Sequence, residues 1–300
     1  MKRLLLALGA VLCLEAGTDK FCFEASTRDA LSRLTSAQLE GCDASGRETV
    51  PEPRINPKVQ VASATRAPWI VANGWRFSRN PGGEYWYELP AGKAVLAMAE
   101  AFAYGVDAGF QINPKDYEEA ARMLEFLGSA PPGSLPPMAD FAFVDDGSAL
   151  AGEAINLLSR RNLLFEIVRR PDSRYGLNVV IGSDDFPRKL AVNPSELAAA
   201  VRDKLTDERR SLRLYGSEMS IVRASGDGKT ARLAVINYGN YPVRGIRLRV
   251  RGIYRSAALH VFARPGAQAD ELVNEDGFTE FTIPEVGPFA VVDLRSSASQ

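Results

Sequence analysis

EMSIVRASGDGKTARLAVINYGNYPVRGIRLRV, residues 218–250, decides the fold of the C-terminal third of the chain. Apolar and polar residues alternate from Met219 to Arg223, from Ala231 to Asn237 and from Val243 to Arg251. Between these runs lie Ser225-Gly226-Asp227-Gly228 and Gly239-Asn240-Tyr241-Pro242. A period of two marks a strand with one dry and one wet face, and short Gly, Asn, Asp and Pro clusters turn the chain back on itself. The rhythm continues through Ala257 to Phe262, Phe278 to Ile283 and Ala290 to Leu294, so at least six strands are expected. Turns this regular, with almost no helix signal, predict an antiparallel β-sandwich over 217–297.

Upstream the pattern changes to strand–helix alternation. Ala139 to Val144 is an apolar strand broken only by Asp140, and Asp145-Asp146-Gly147-Ser148 turns it into a helix ending near Ser159. Strands follow at Leu163 to Val168 and Leu177 to Ile181. Asn193-Pro194 opens a helix carrying Leu197, Ala200, Val201 and Leu205, and Leu212 to Tyr215 is the expected closing strand. This alternation predicts a mostly parallel α/β domain over 138–216. Its boundary is Gly128 to Pro137, GSAPPGSLPP, where four prolines and two glycines in ten residues interrupt both periodicities.

Before the boundary, 67–130 reads as a β/α segment. Asn80-Pro81-Gly82-Gly83 is a turn between two short strands, Lys93 to Tyr104 is a helix stopped by Gly105, and Asp107 to Ile112 is a strand. Asn113 caps the next helix with Pro114 at its first position. Residues 21–66 read as irregular and helical: Leu31, Leu34 and Leu39 give Phe21 to Glu40 a helical stripe, and Pro51, Pro53 and Pro57 end the periodicity. The fold class is therefore α/β followed by an all-β sandwich.

Residues 1–20 read as a signal peptide, with Lys2 and Arg3 ahead of an apolar run from Leu4 to Leu14 that is too short to span a bilayer. Export to the periplasm or beyond the cell is expected, with no stable membrane span. Past the leader two cysteines remain, Cys22 and Cys42, which allow one disulfide or two buried thiols. Net charge is −1, against the basic balance of a nucleic-acid binder. Arg247, Arg249 and Arg251 share one strand face, either a solvated face or a surface for a glycan or anionic polymer.

Chemistry-bearing residues are sparse. Asp145 and Asp146 end one strand and Asp184 and Asp185 another, at the edge where open α/β sheets bind ligands. Asp at a strand-to-helix turn also caps backbone N–H groups. Trp75, Tyr85, Trp86 and Tyr87 are candidates for stacking on sugar rings, although in a strand Trp86 opposes its two neighbours. Glu84 and Glu88 flank them, four residues apart in an extended segment and so too distant to be a retaining glycosidase pair by themselves. The one histidine, His260, reads as structural. Gly226-Asp227-Gly228-Lys229-Thr230 lacks phosphate-loop spacing, and no G-x-S-x-G elbow occurs. Neither a cofactor nor a metal is expected.

A β/α barrel remnant, an α/β domain resembling class I glutamine amidotransferases and a terminal sandwich together resemble the C-terminal portion of bacterial glycoside-hydrolase-like proteins, in the layout of family-42 β-galactosidases. The resemblance covers Trp69 to Leu294 and is one of architecture. It implies a barrel carrying two catalytic glutamates, an α/β domain making oligomer contacts and an accessory sandwich. A whole barrel needs about 200 residues, so only its final one or two units are expected. No cysteine follows Cys42, so an amidotransferase thiol is missing. The chain is thus expected to be an exported, non-catalytic relative of glycoside hydrolases that binds carbohydrate or a partner chain. The alternatives are an active glycoside hydrolase using paired Asp/Glu and a structural module that forms homo-oligomers.

Overall fold

The computed structural model of the 300-residue chain describes residues 18, 20–56, 69–130 and 135–296. The leader expected at 1–20 falls outside them except for Thr18 and Lys20. Among the described residues no helix is long and apolar enough to cross a membrane.

The first layer comprises β1 (Phe21–Phe23), α1 (Ala25–Leu31), β2 (Glu40–Gly41), β3 (Glu48–Val50), β4 (Arg54–Asn56), β5 (Trp69–Val71), α2 (Gly74–Arg79), β6 (Glu84–Leu89), α3 (Ala94–Tyr104), β7 (Asp107–Ile112) and α4 (Tyr117–Ser129). Five strands form one parallel sheet in the order β2-β1-β7-β6-β3. Taken as a ring the order follows the chain, with β7 beside β1 and the ring open between β2 and β3. Phe21, Phe23, Tyr85, Tyr87, Phe110 and Ile112 share a core with α1, α3 and α4. In α3, Leu96 to Ala101 are all buried, as in a helix held between two layers. Its outer side meets the sandwich, where the Phe102 and Phe289 rings lie 6.0 Å apart.

The structure corrects three expectations in this layer. The described part of the segment, residues 21–56, is not merely irregular: it supplies β1, β2 and β3 to the sheet that also holds β6 and β7; the expected boundary at 66 lies outside the described residues. Strands of two or three residues are too short to show a period in sequence, and their pairing is set by long-range partners. The helical stripe over Phe21 to Glu40 reduces to α1, because Phe21–Phe23 is buried beside β7 and Glu24 caps the helix that begins at Ala25. The segment before the Asn80 turn is helix α2, which places Trp75 and Phe77 on a helix.

The second layer comprises β8 (Phe141–Val144), α5 (Ala149–Arg160), β9 (Phe165–Val168), β10 (Asn178–Val180), α6 (Arg188–Val192) and α7 (Pro194–Leu205), with a parallel sheet in the order β10-β8-β9. Phe141 and Phe143 are buried against Ile155 and Leu158 of α5 and Leu197 and Val201 of α7.

The third layer is β11 (Leu212–Tyr215), β12 (Ser220–Gly226), β13 (Thr230–Asn237), β14 (Val243–Arg251), β15 (Ser256–Val261), β16 (Asp270–Glu275), β17 (Phe278–Val286) and β18 (Phe289–Arg295). Two antiparallel four-stranded sheets, β11-β14-β17-β16 and β12-β13-β18-β15, face each other across Leu233, Val235, Ile246, Leu248, Phe281 and Val292. Asp227 accepts from the N–H groups of Lys229 and Thr230, so the Gly-Lys-Thr run is the β12–β13 turn. β11, expected to close the parallel sheet, instead pairs antiparallel with β14. Its alternation suits either sheet, and Leu212 finds its apolar cover in the sandwich core. β16 escaped detection because it is an exposed edge strand without an apolar face.

Candidate functional site

In barrel-type sheets the chemistry sits at the C-terminal ends of the strands. Here two of the acids at that edge, Glu24 and Asp116, serve the backbone. Glu24, after β1, accepts from the Ser26 hydroxyl at 2.6 Å, the Ser26 N–H at 2.9 Å and the Thr27 N–H at 3.1 Å. These bonds, the Ser26 hydroxyl foremost, hold its carboxyl below the usual range. Asp116, after β7, is buried and accepts from the Gly92 N–H at 2.7 and 2.8 Å and from the Lys93 N–H at 3.1 Å, which anchors the loop entering α3. Glu52, after β3, is paired with Arg54. That leaves Glu88, exposed near the end of β6 beside Gln111 of β7. Glu84 sits at the opposite end of β6, beside Asp107, and binds Arg47 at 3.2 Å. Glu84 and Glu88 therefore lie at opposite ends of one strand.

The aromatic candidates divide between faces as their alternation requires, but Tyr85, Trp86 and Tyr87 are all buried and form no exposed platform. Tyr85 donates to the Asn80 carbonyl at 2.7 Å, and Tyr87 stacks on Phe110 with ring centroids 5.4 Å apart. Trp86 lies on the face away from the helices, directly over Gly109, whose missing side chain makes room for the indole. Cys42 closes against the same spot, joined to Cys22 in a disulfide with a Cα–Cα separation of 5.6 Å. Trp75 is half-buried between α2 and α5, with the Arg76 guanidinium 4.3 Å from its ring and its six-membered edge against Gly152.

Three of the four paired Asp residues are held by other groups. Asp145 is fully buried and takes a two-pronged bond from Arg79, Nε at 3.0 Å and Nη2 at 2.7 Å, with Arg169 at 3.3 Å. It ties α2 of the first layer to the β8–α5 turn of the second. Asp146 accepts from the Ser148 N–H at 2.9 Å, and Ser148 in turn caps α5; hydrogen bonding from Ser148 lowers the Asp146 carboxyl. Asp184 is exposed, and Asp185 binds Lys204 at 2.5 Å. Among the described residues no cluster of three metal-ligating side chains forms.

One charged group went unnoticed in the sequence. Glu100, in the middle of α3, is completely buried. Its Oε1 accepts from the Asn73 N–H at 2.7 Å and the Tyr238 hydroxyl at 2.7 Å, and its Oε2 from the Tyr87 hydroxyl at 2.9 Å and Asn73 Nδ2 at 3.0 Å. Burial raises its carboxyl pKa, against the pull of these four donors. The available signal was a single acid in an otherwise apolar eleven-residue helix, AVLAMAEAFAY. The knot joins the first layer to the sandwich. A small cavity of about 20 Å³ lies where all three layers meet, between Tyr104, Phe165 and Arg223, and its lining holds no carboxylate.

No family model matches the chain and no curated protein matches it. Among solved structures, α-L-fucosidase isoenzyme 2 from Paenibacillus thiaminolyticus superposes with a TM-score of 0.56 at 10% identity, over 75% of this chain and 62% of that one. The GH42 β-galactosidase Gan42B from G. stearothermophilus gives 0.39 at 8% identity over 84% and 54%. The β-galactosidase from Rahnella sp. R3 gives 0.37 at 8% over 90% and 57%. The chain has a glycoside-hydrolase-like fold and spans less than two thirds of each of these proteins.

Proposed function

We propose that the chain is an exported, non-catalytic relative of glycoside hydrolases that recognises carbohydrate or a partner chain outside the cytoplasm. The observation that carries the reading is the strand edge itself. Glu24 and Asp116, at the C-terminal ends of β1 and β7, are bound to backbone N–H groups, and the register neighbour of Glu88 on β7 is Gln111, not an acid. Hydrolysis of a glycoside needs two carboxyl groups about 5–10 Å apart across the scissile bond. The ring-like strand order, with every helix of the first layer on one face, supports descent from a barrel of which an arc remains, its inner face filled by Trp86 and the disulfide. In this reading the β8–β10 layer would correspond to the amidotransferase-like domain of the resemblance and the sandwich to its accessory one. The apolar leader and the Cys22–Cys42 bond, which suits an oxidising compartment, support export.

Burial of Tyr85, Trp86 and Tyr87 favours a second reading, a structural module whose layers pack in a homo-oligomer. A glycan array on the secreted chain, followed by hydrolysis assays on every bound sugar with E88Q as control, tests the proposal. Binding without turnover is expected. Turnover abolished in E88Q would overturn the non-catalytic reading, and no binding to any glycan would leave the structural one.

A further inference from the structure

The outer face of the β11-β14-β17-β16 sheet carries a strip of arginines whose acids are unevenly placed along it. On β14, Ile246, Leu248 and Val250 point into the core, so Arg247, Arg249 and Arg251 point out. Arg213 of β11 lies directly beside Arg249. Each carboxylate in this strip is shared by two guanidinium groups. Glu280 binds Arg247 at 2.5 Å and Arg249 at 3.3 Å. Glu285 binds Arg244 at 2.8 Å and also Arg264. Asp207 binds Arg213 at 3.2 Å and Arg210 at 3.7 Å. Arg251 donates to the Glu208 carbonyl and stacks, with Arg249, on the Phe278 ring at 5.2 and 4.2 Å. At the β11 side the Asp140 and Glu208 carboxylates also face Arg210, Arg251 and Arg213, so the excess positive charge collects at the other end, around Arg244, Arg247 and Arg264. Further acids stand on the edge strand β16, at Asp270, Glu271 and Glu275, which bounds the strip on one side.

Two further features narrow the ligand. All seven cations are arginines, whose planar forks match carboxylate and sulfate groups in a two-pronged fashion, unlike lysine. The most open of them, Arg244 at 83% and Arg247 at 58% side-chain exposure, lie at the end of the strip where two tyrosines are exposed. Tyr215 stands opposite Arg247 in the strand register, and Tyr241 precedes β14 by two residues; they are 46% and 80% exposed. A ring face beside a guanidinium fork suits a pyranose that carries an acid group. The acidic edge and the pI near 6.1 weigh against a nucleic acid.

We infer that this face binds an anionic polysaccharide, carboxylated or sulfated, lying along β14. The inference rests on the carbohydrate-recognition reading and names its site and ligand class. The experiment measures binding of the full chain to polygalacturonate, dextran sulfate, neutral dextran and single-stranded DNA at two salt concentrations. Expected is salt-sensitive binding to polygalacturonate or dextran sulfate and none to neutral dextran. R244S/R247S/R264S changes three exposed side chains and should weaken that binding about tenfold or more at low salt. Y215A/Y241A should weaken it too, which a purely ionic surface would not show. E285Q releases two guanidinium groups and should tighten it; a merely structural glutamate would not produce that gain. Thermal melts of each variant check folding. Anionic-glycan binding that ignores the triple variant, or DNA held as tightly as polygalacturonate, overturns the inference. Neutral glycans bound on an array without any anionic one would overturn this site and leave the wider reading standing; no glycan of either kind would overturn both.

Discussion

Gly109 has no side chain because Trp86 occupies its place, and an alanine there tests the packing directly. A Cβ at position 109 would lie 2.6 Å from Trp86 Cε3, 2.8 Å from Cζ3 and 3.1 Å from Cys42 Sγ. Carbon atoms pack best at about 3.5–4.0 Å, so two ring atoms would overlap the new methyl by nearly 1 Å. The indole is buried and one of its neighbours is a disulfide, so the ring has little freedom to retreat. Overpacking of this kind costs about 1–3 kcal/mol. Against it, alanine is favoured over glycine in a strand interior by roughly 0.5–1 kcal/mol. G109A is therefore expected to lose about 1–2 kcal/mol of stability in urea unfolding at neutral pH. The decisive measurement repeats the substitution in a W86A background, where the two ring contacts are gone, the Cys42 Sγ contact at 3.1 Å remains and the space left by the indole lets the methyl and sulfur separate. There G109A should gain roughly 0.5–1 kcal/mol, so the sign inverts between backgrounds. Equal or greater stability of G109A alone, or the same sign in both backgrounds, would refute the account of the filled inner face.

The remaining expectations concern the joints between layers. D145N leaves Arg79 without its buried partner and should cost about 3–5 kcal/mol in denaturant unfolding; a loss below about 1 kcal/mol would mean the pair does not hold the joint. Because burial raises the folded-state pKa of Glu100 above its ordinary 4.5, the folded form binds the extra proton. Stability from this group is present below about pH 4.5 and declines as pH rises through the raised value, and E100Q should remove that decline from a stability–pH profile. If both profiles fall in parallel, another group is responsible. C22S/C42S opens a loop of 20 residues and should lower stability by roughly 3 kcal/mol, matched by reduction of the wild type with a thiol.

By itself the sequence determined the class of each long element. The alternation of Val243 to Arg251, with three inward apolar residues against outward arginines, admits only a half-buried strand, and the structure has that strand with those bounds. Asn113-Pro114 likewise announced a helical entry, because cap and first-turn chemistry are local: the Asn113 side chain accepts from the Lys115 N–H and caps a 3-10 turn over Pro114–Asp116, although the α-helix itself begins only at Tyr117. What tertiary structure alone decided was partnership. β1, β2 and β3 are two or three residues long and carry no period, so their membership in one sheet with β6 and β7 comes only from contacts distant in the chain. β11 has the same pattern in either sheet, and the apolar surface left uncovered by the sandwich chose for it. The candidate acids show the same limit. Asp116 and Asp145 look in sequence like any carboxylate after a strand, and only the approach of the Gly92 loop and of Arg79 makes them structural. Glu100 is the clearest instance. An acid inside an apolar helix is costly unless donors converge on it, and its donors come from residues 73, 87 and 238, which only the assembled layers bring within 3.0 Å.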